Sequence, residues 1–274
     1  MRGIRCLLAA VLAAGIVTVV AAQPGRQFGG GGFGGQDTVL LVLNNKALQE
    51  EVKVTDEQKA KFKDISAKQM EMGKKAMEGM KDKFSEAKGD KDKMKEVFED
   101  MQKENSKNTA EVKKLLDAEL TGEQKKRLHQ ISIQVMGVDA FADPDSKTGG
   151  GGFGGGRGFG GGFSEAQKAI IKDVADTLKL TDDQKSKIKN ALSEYTKDRD
   201  AVRKDIFGDG KVGKGGFDQE KMKDFATKSG KLSSETMDKI NEVLDDTQKT
   251  AWKGLVGAHF DTTKLRPAPM PKKD

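Results

Sequence analysis

The sequence of 274 residues contains a single cysteine, Cys6, close to its N-terminus. One thiol cannot form an internal disulfide or a cysteine-ligated metal site. We expect Cys6 to be removed with a signal peptide, which also excludes catalysis by a thiolate. The stability of the mature chain must then come from the packing of helices.

Aromatic residues are scarce, at 5% of the chain, whereas charged residues make up 34%. Hydrophobic cores must therefore be thin, as in long amphipathic helices. The net charge is +6, and removal of Arg2 and Arg5 with a signal peptide leaves +4. Because positive and negative residues alternate through residues 59–119, they indicate solvated helix faces, and no nucleic-acid partner is predicted.

Catalytic motifs are also missing. The chain has two histidines, His129 and His259, and it contains no HExxH, no GxSxG and no phosphate-binding glycine loop ending in GK[ST]. An enzymatic activity requires an identifiable catalytic site, and the sequence shows no motif for one. We therefore predict a protein that is not an enzyme and that needs no cofactor.

The N-terminal residues have the pattern of a secretory signal peptide. A short cationic start precedes an apolar run of about 15 residues, and Ala21 and Ala22 supply the small residues that signal peptidase requires. The run is shorter than the roughly 20 residues of a membrane-spanning helix, so a retained anchor is the less favoured alternative. We expect cleavage after Ala22, no stable membrane insertion afterwards, and a periplasmic or secreted protein.

Two glycine tracts divide the rest of the chain. Glycine at this density predicts flexible tethers, because it has much backbone freedom to lose and no side chain to bury. The C-terminal RPAPMPKKD contains three prolines and predicts a disordered tail. The expected organisation is a signal peptide (1–22), a linker (23–35), a first helical module (36–145), a second linker (146–162), a second helical module (163–263) and the tail (264–274).

The strongest signal is a short motif that occurs four times. Each copy has an apolar residue, then Thr or Asp, and then Gln-Lys beginning three residues later. The first and third Thr/Asp positions are 126 residues apart, and the second and fourth are 124 apart. The chain is therefore interpreted as a duplicated module, with these motif residues: Val54, Thr55 and Gln58; Leu120, Thr121 and Gln124; Leu180, Thr181 and Gln184; Leu244, Asp245 and Gln248.

Each motif copy predicts the start of a helix. Thr or Asp at the N-cap accepts a hydrogen bond from a free backbone N–H, and the Gln reaches back to the N–H of the cap. Ser164 and Gln167 have the same spacing and predict a fifth start. The sequence shows no sustained alternation of apolar and polar residues with period two, the pattern of a β-strand. We therefore predict an all-α fold of two tandem modules of long antiparallel helices joined by a glycine-rich linker. The expected helices are 38–53, 56–87, 91–119, 122–138, 165–179, 182–207, 218–228, 234–243 and 246–256.

Methionine is concentrated in the first module, between Met70 and Met101. The favoured interpretation is core filling, because unbranched thioethers fit thin, irregular cores. A second interpretation is a soft surface for varied hydrophobic partners, formed by Met70, Met77, Met80 and Phe84. A third is thioether ligation of cuprous ion, which is disfavoured because Met72 lies off the stripe and no histidine is near it in sequence.

The motif copies at Leu120, Leu180 and Val54 resemble the LTxxQ motif of the Spy/CpxP group of bacterial envelope proteins. The resemblance covers both modules but not the glycine tracts. It implies a curved helical hairpin that binds unfolded clients, or reports envelope and metal stress, without ATP. The chain departs from that pattern in having Asp245 in the fourth copy, two modules in tandem and no strongly basic face.

The leading hypothesis for function is therefore a non-enzymatic envelope binding protein, an ATP-independent chaperone or stress accessory. The alternative is a structural or scaffolding protein with two helical interaction modules, and a metal sensor is third. The expected partner is a protein, either an unfolded client or a fixed envelope component. Two arrangements of the modules stay open, a homodimer and a pseudo-dimer within one chain.

Overall fold

The computed structural model describes residues 37–146, 162–208 and 219–265. Over these ranges the chain forms nine α-helices and two short 3-10 helices, with no β-strand, which confirms the predicted all-α class. The predicted signal peptide, the first glycine linker, most of the second linker and the tail beyond residue 265 lie outside the described residues.

The first half of the structure is built on a long helical hairpin. Helices α3 and α4 run antiparallel, because Lys61 near the start of α3 pairs with Glu119 at the end of α4, whereas Lys83 pairs with Asp100. The elements of this half are α1 (Thr38–Leu41), α2 (Lys46–Glu51), α3 (Asp56–Glu86), α4 (Lys91–Glu119), α5 (Gly122–Met136) and a first 3-10 helix (Gly137–Phe141).

The second half contains a corresponding hairpin. Helices α7 and α8 pack along each other, and Lys239 of α8 pairs with Glu194 of α7 at 2.9 Å. The elements of this half are α6 (Glu165–Leu178), α7 (Asp182–Phe207), α8 (Gln219–Val243), α9 (Asp246–Val256) and a second 3-10 helix (Thr262–Leu265).

The structure corrects three of the predicted boundaries. Residues 38–53 form two helices, because the Asn45 side chain accepts a hydrogen bond from Leu48 N–H at 3.0 Å and starts a new helix. Residues 219–243 form one continuous helix, and Ser229, within the stretch predicted to separate two pieces, is buried in it. Leu265 is buried rather than part of a tail, so the folded part extends two residues beyond 263.

Two hydrophobic cores hold these elements together. The first lies between α1, α2, α5 and the base of the α3–α4 hairpin, and includes Leu48, Phe62, Leu116 and Leu128. The second lies between α6, α9 and the base of the α7–α8 hairpin, and includes Leu178, Ile188, Ile240 and Trp252. In the ranges that the structure describes, no helix is both long enough and apolar enough to cross a bilayer.

Candidate functional site

Among the described residues, five helices begin with the reciprocal cap that the motif predicts. At Thr55, the hydroxyl accepts a hydrogen bond from the Gln58 N–H at 3.2 Å, and the Gln58 side-chain oxygen accepts one from the Thr55 N–H at 3.0 Å. The same arrangement starts each of the other helices that follow a motif copy, and also α6, with the caps Thr121, Ser164, Thr181 and Asp245.

The motif glutamines also pair with one another across the fold. Gln58 and Gln124 are 66 residues apart, and each side-chain amide donates to the oxygen of the other at 2.9 Å. The remaining amide hydrogens reach backbone carbonyls, from Gln58 to Glu119 at 2.6 Å and from Gln124 to Val52 at 3.1 Å. Each amide thus uses both of its donors and both lone pairs of its oxygen.

The second half repeats this pair. Gln184 and Gln248 donate to each other at 2.7 and 3.0 Å. Gln184 also donates to the Val243 carbonyl, and Gln248 to the Leu178 carbonyl. Val243 precedes the cap Asp245 by two residues, as Glu119 precedes Thr121. Leu178 precedes the cap Thr181 by three residues, as Val52 precedes Thr55. The motif therefore ties two helix starts together at the base of each hairpin, in addition to capping each helix.

Sequence reasoning found the caps but missed the pairing. A cap joins residues three positions apart, whereas the paired glutamines are separated by an entire hairpin. The signal that could have revealed the pairing is that the motif occurs twice per half, once before the first hairpin helix and once after the second. The apolar residues before the caps pack into the cores: Val54, Leu120 and Leu244 are buried, and Leu180 is half-buried.

The α3–α4 hairpin extends away from its glutamine pair as a thin two-helix structure. Toward its tip the two helices are held by Ala87, by Val97 and by the rings of Phe84 and Phe98, which pack edge to face with their centroids 5.7 Å apart. Each helix of such a hairpin has one helical neighbour, so a large part of its surface faces water.

Two methionines on α3 lie on that open surface. Met70 is 65% exposed and Met77 is 77% exposed. With Gly73 they occupy positions i, i+3 and i+7 of one helical face, and a side chain at Gly73 would meet nothing within 4 Å. We call Met70, Gly73 and Met77 the methionine face. The core-filling interpretation is therefore wrong for Met70 and Met77.

The other two residues of the predicted stripe lie differently. Met80 and Phe84 are half-buried, and Phe84 packs on Phe98 of α4. The structure therefore brings together only Met70 and Met77 as freely exposed side chains. Met72, which the sequence placed off the stripe, is also half-buried.

No family model, curated protein or solved structure matches this chain. Its function must therefore be argued from the chain's own surfaces.

Charged pairs lie on other parts of the exposed surface of the same hairpin. Lys75 pairs with Glu71 at 2.7 Å, and Lys68 reaches across to Glu111 of α4 at 2.6 Å. The hydrogen bond from Lys75 lowers the pKa of Glu71 and raises the pKa of Lys75 itself, so both stay charged near neutral pH. Because exposed pairs contribute little to stability, their main effect is to keep the surface of the hairpin charged.

The described residues contain no cluster of three or more His, Cys, Asp or Glu side chains that could hold a metal ion. His129 of α5 instead lies 2.9 Å from the carboxylate of Asp173 on α6. This contact joins the two halves of the structure.

One carboxyl, that of Asp139, lies in the first 3-10 helix where this helix packs on α7 and α8. Burial raises its pKa, and the positive charge of Arg199 opposes the rise. Arg199 lies over the ring of Tyr195, with its guanidinium carbon 5.4 Å from the ring centroid. Burial also raises the pKa of Tyr195, and the positive charge of Arg199 offsets only part of this rise.

Replacing Asp139 by Asn is expected to stabilise the protein at pH 7. The pKa of Asp139 in the folded state lies above the ordinary value of 3.8, so the carboxyl favours folding below about pH 3.8 and loses this contribution as the pH rises through the raised pKa. The advantage of Asn should therefore shrink as the pH falls from 7 toward 3.8. Urea unfolding at both pH values measures this, with exposed Asp238→Asn as the control. Equal effects of Asp139→Asn at both pH values would contradict the expectation.

Proposed function

We propose that this protein is a non-enzymatic binding protein of the Spy/CpxP type that holds unfolded segments of other proteins without ATP, in the periplasm or outside the cell. The exposure of Met70 and Met77 on an extended helical hairpin carries this proposal. The resemblance of the motif copies to LTxxQ supports it, and so does the absence of a catalytic motif in the sequence.

The chemistry of the methionine face suits contact with varied partners. The methionine side chain is unbranched and polarizable, so it adapts to different apolar surfaces without a fixed shape. Two such side chains offer a small apolar area, which favours weak and reversible contacts over a permanent complex. Charged pairs elsewhere on the hairpin keep it soluble while the face is empty.

The first test is aggregation of a chemically unfolded client. The mature protein is expected to suppress aggregation at stoichiometric amounts. The double variant Met70→Gln/Met77→Gln should need about 30-fold more protein for the same effect, because burying each methionine contributes roughly 1 kcal/mol when a client covers part of it. Light scattering against protein concentration gives the comparison.

The matched control for this test is Met70→Leu/Met77→Leu, which keeps both positions apolar and uncharged. It should suppress aggregation as well as the wild type does. Equal activity of the Gln variant would remove the methionine face from the proposal. Absence of any suppression by the wild type at a several-fold excess would remove holdase activity itself.

A scaffolding protein of the cell envelope is the second candidate. The observation that favours it is the second hairpin, where the described residues of α7 and α8 expose no large hydrophobic side chain. Their surface carries ion pairs, such as Lys187 with Asp183 and Lys239 with Glu194. A surface of this kind suits one fixed polar partner better than varied unfolded chains. Recovery of a single stoichiometric envelope partner, together with no holdase activity, would favour this candidate.

A further inference from the structure

The last segment of each half of the chain lies in the hydrophobic core of the other half. Phe260 and Leu265, which follow α9 in the second half, are buried in the first core. Val138 and Phe141, which follow α5 in the first half, are buried in the second core. Phe141 lies against Trp252 of α9, with the ring centroids 4.6 Å apart.

This exchange is reciprocal in sequence as well as in space. Phe141 comes 20 residues after the cap Thr121, and Leu265 comes 20 residues after the cap Asp245. Both lie in the 3-10 helix that follows the second motif helix of their half. Each half therefore contributes the corresponding segment to the hydrophobic core of the other half.

One face of α5 binds the backbone of the second half. Gln134 donates from its amide to the carbonyls of Val256 at 2.7 Å and Ala258 at 2.8 Å, and its oxygen accepts from the Phe260 N–H at 2.9 Å. Arg127 also donates to the Ala258 carbonyl, at 2.8 Å. These bonds fix the chain that leaves α9 along α5, and so direct it to the first core.

Two neighbouring contacts extend the same joint. Gln130, between Arg127 and Gln134 on the same face of α5, donates to the Gly254 carbonyl at 3.1 Å. At the far end, Asn45 donates to the carbonyl of Lys264 at 3.1 Å. Together these contacts run from the end of α9 to the second 3-10 helix. We call this joint, with the two exchanged segments, the exchange interface.

We propose that residues 37–146 and 162–265 are obligate partners of one another, paired through the exchange interface as the two halves of one monomer. Each half lacks part of its own core unless the other half is present. Burying a side chain the size of Phe or Leu removes a large apolar area from water and stabilises the core that receives it. Without Phe260, Leu265 and their counterparts, each core would be left open to water. This inference does not depend on the proposed function.

The pairing follows from noncovalent contacts, so it should survive a break in the connecting chain. The test places a protease site within residues 150–158 of the full-length mature protein, which is purified folded and then cleaved. We expect the two pieces to elute together at the position of the uncut protein and to give a 1:1 complex by native mass spectrometry. Trp252 fluorescence should be unchanged by the cut.

Other outcomes of this experiment would overturn the proposal. Separation of the cut pieces under native conditions, whether they stay folded or not, would show that the halves are not obligate partners. An uncut protein that sediments as a dimer, and whose cut form keeps twice the expected mass, would show that the exchange runs between two chains.

A variant tests whether the contacts of the exchange interface, and not nonspecific association, hold the two cleaved pieces together. Gln134→Ala removes three hydrogen bonds to the backbone of residues 256–260 and is expected to weaken the association of the cut pieces at least tenfold. The control is Lys126→Ala, an exposed position on the same helix, which should leave the association unchanged. Equal affinities of the two variants would place the binding elsewhere.

Discussion

Gln124→Ala is expected to lower the free energy of unfolding by about 3 kcal/mol. The Gln124 side chain is only 8% exposed. Its removal breaks the hydrogen bonds that it makes with the Val52 carbonyl, the Thr121 N–H and the Gln58 amide. A buried polar group left without its hydrogen bond costs about 1–3 kcal/mol. Part of this cost is recovered where water reaches the exposed cap.

Denaturant unfolding measures this loss, and a double-mutant cycle with Gln58→Ala separates capping from pairing. If the two amides act as a pair, the double variant should be less destabilised than the sum of the single variants by roughly 1 kcal/mol or more. Asp90→Ala is the reference for a cap: its side chain accepts from the Lys93 N–H at 3.1 Å, and its loss should cost about 1 kcal/mol. Additive effects of Gln58→Ala and Gln124→Ala would contradict the paired role.

Phe141→Ala should cost about 3–5 kcal/mol, which is the usual range for removing a buried aromatic ring. Phe141 belongs to the first half in sequence, but it is buried against Trp252 in the second core. Because Trp252 is the chain's only tryptophan, its fluorescence reports on the second core. The emission of the folded variant should shift to longer wavelength as water reaches the indole, and thermal or denaturant unfolding measures the loss of stability.

The matched control is Phe84→Ala, which deletes the same ring from the α3–α4 hairpin. Phe84 is half-buried and packs on Phe98 far from the second core. It should cost less stability and leave the Trp252 emission of the folded protein unchanged. A similar spectral shift from both variants, or none from Phe141→Ala, would show that Phe141 does not complete the second core.

The helix starts could be predicted because each depends on residues close in sequence. A cap and its glutamine are three positions apart, and the same device begins α3, α5, α7 and α9. Helices α4, α7 and α9 have the residue bounds that their patterns predict. The break predicted between residues 87 and 91 correctly divides α3 from α4, and the Asp90 side chain caps α4.

The contacts between the halves could not be predicted, because they depend on three-dimensional placement. Arg127, Gln130 and Gln134 have the spacing of an ordinary exposed polar face, and nothing in the sequence shows that backbone carbonyls lie opposite them. The predicted break between residues 228 and 234 does not occur: Ser229 is buried within the continuous helix α8. Tertiary contacts of this kind routinely override local propensity.

The methionine face shows another limit of sequence reasoning. Met70 and Met77 recur with a spacing that suits a buried stripe, and periodicity alone does not tell which faces of a helix find a neighbour. In a two-helix hairpin, one face of α3 packs on α4 and the remainder meets solvent. The exposure of these two side chains could be established only from the structure.

The position of Phe260 and Leu265 in the first core has a consequence for biosynthesis. A ribosome makes residues 37–146 first, yet the hydrophobic centre of that portion stays incomplete until codon 265 has been translated. The N-terminal portion must therefore wait for the exchanged segment of the second half before it reaches its final state. A product of premature termination before residue 260 would keep an open apolar cleft, which proteases and quality-control factors recognise.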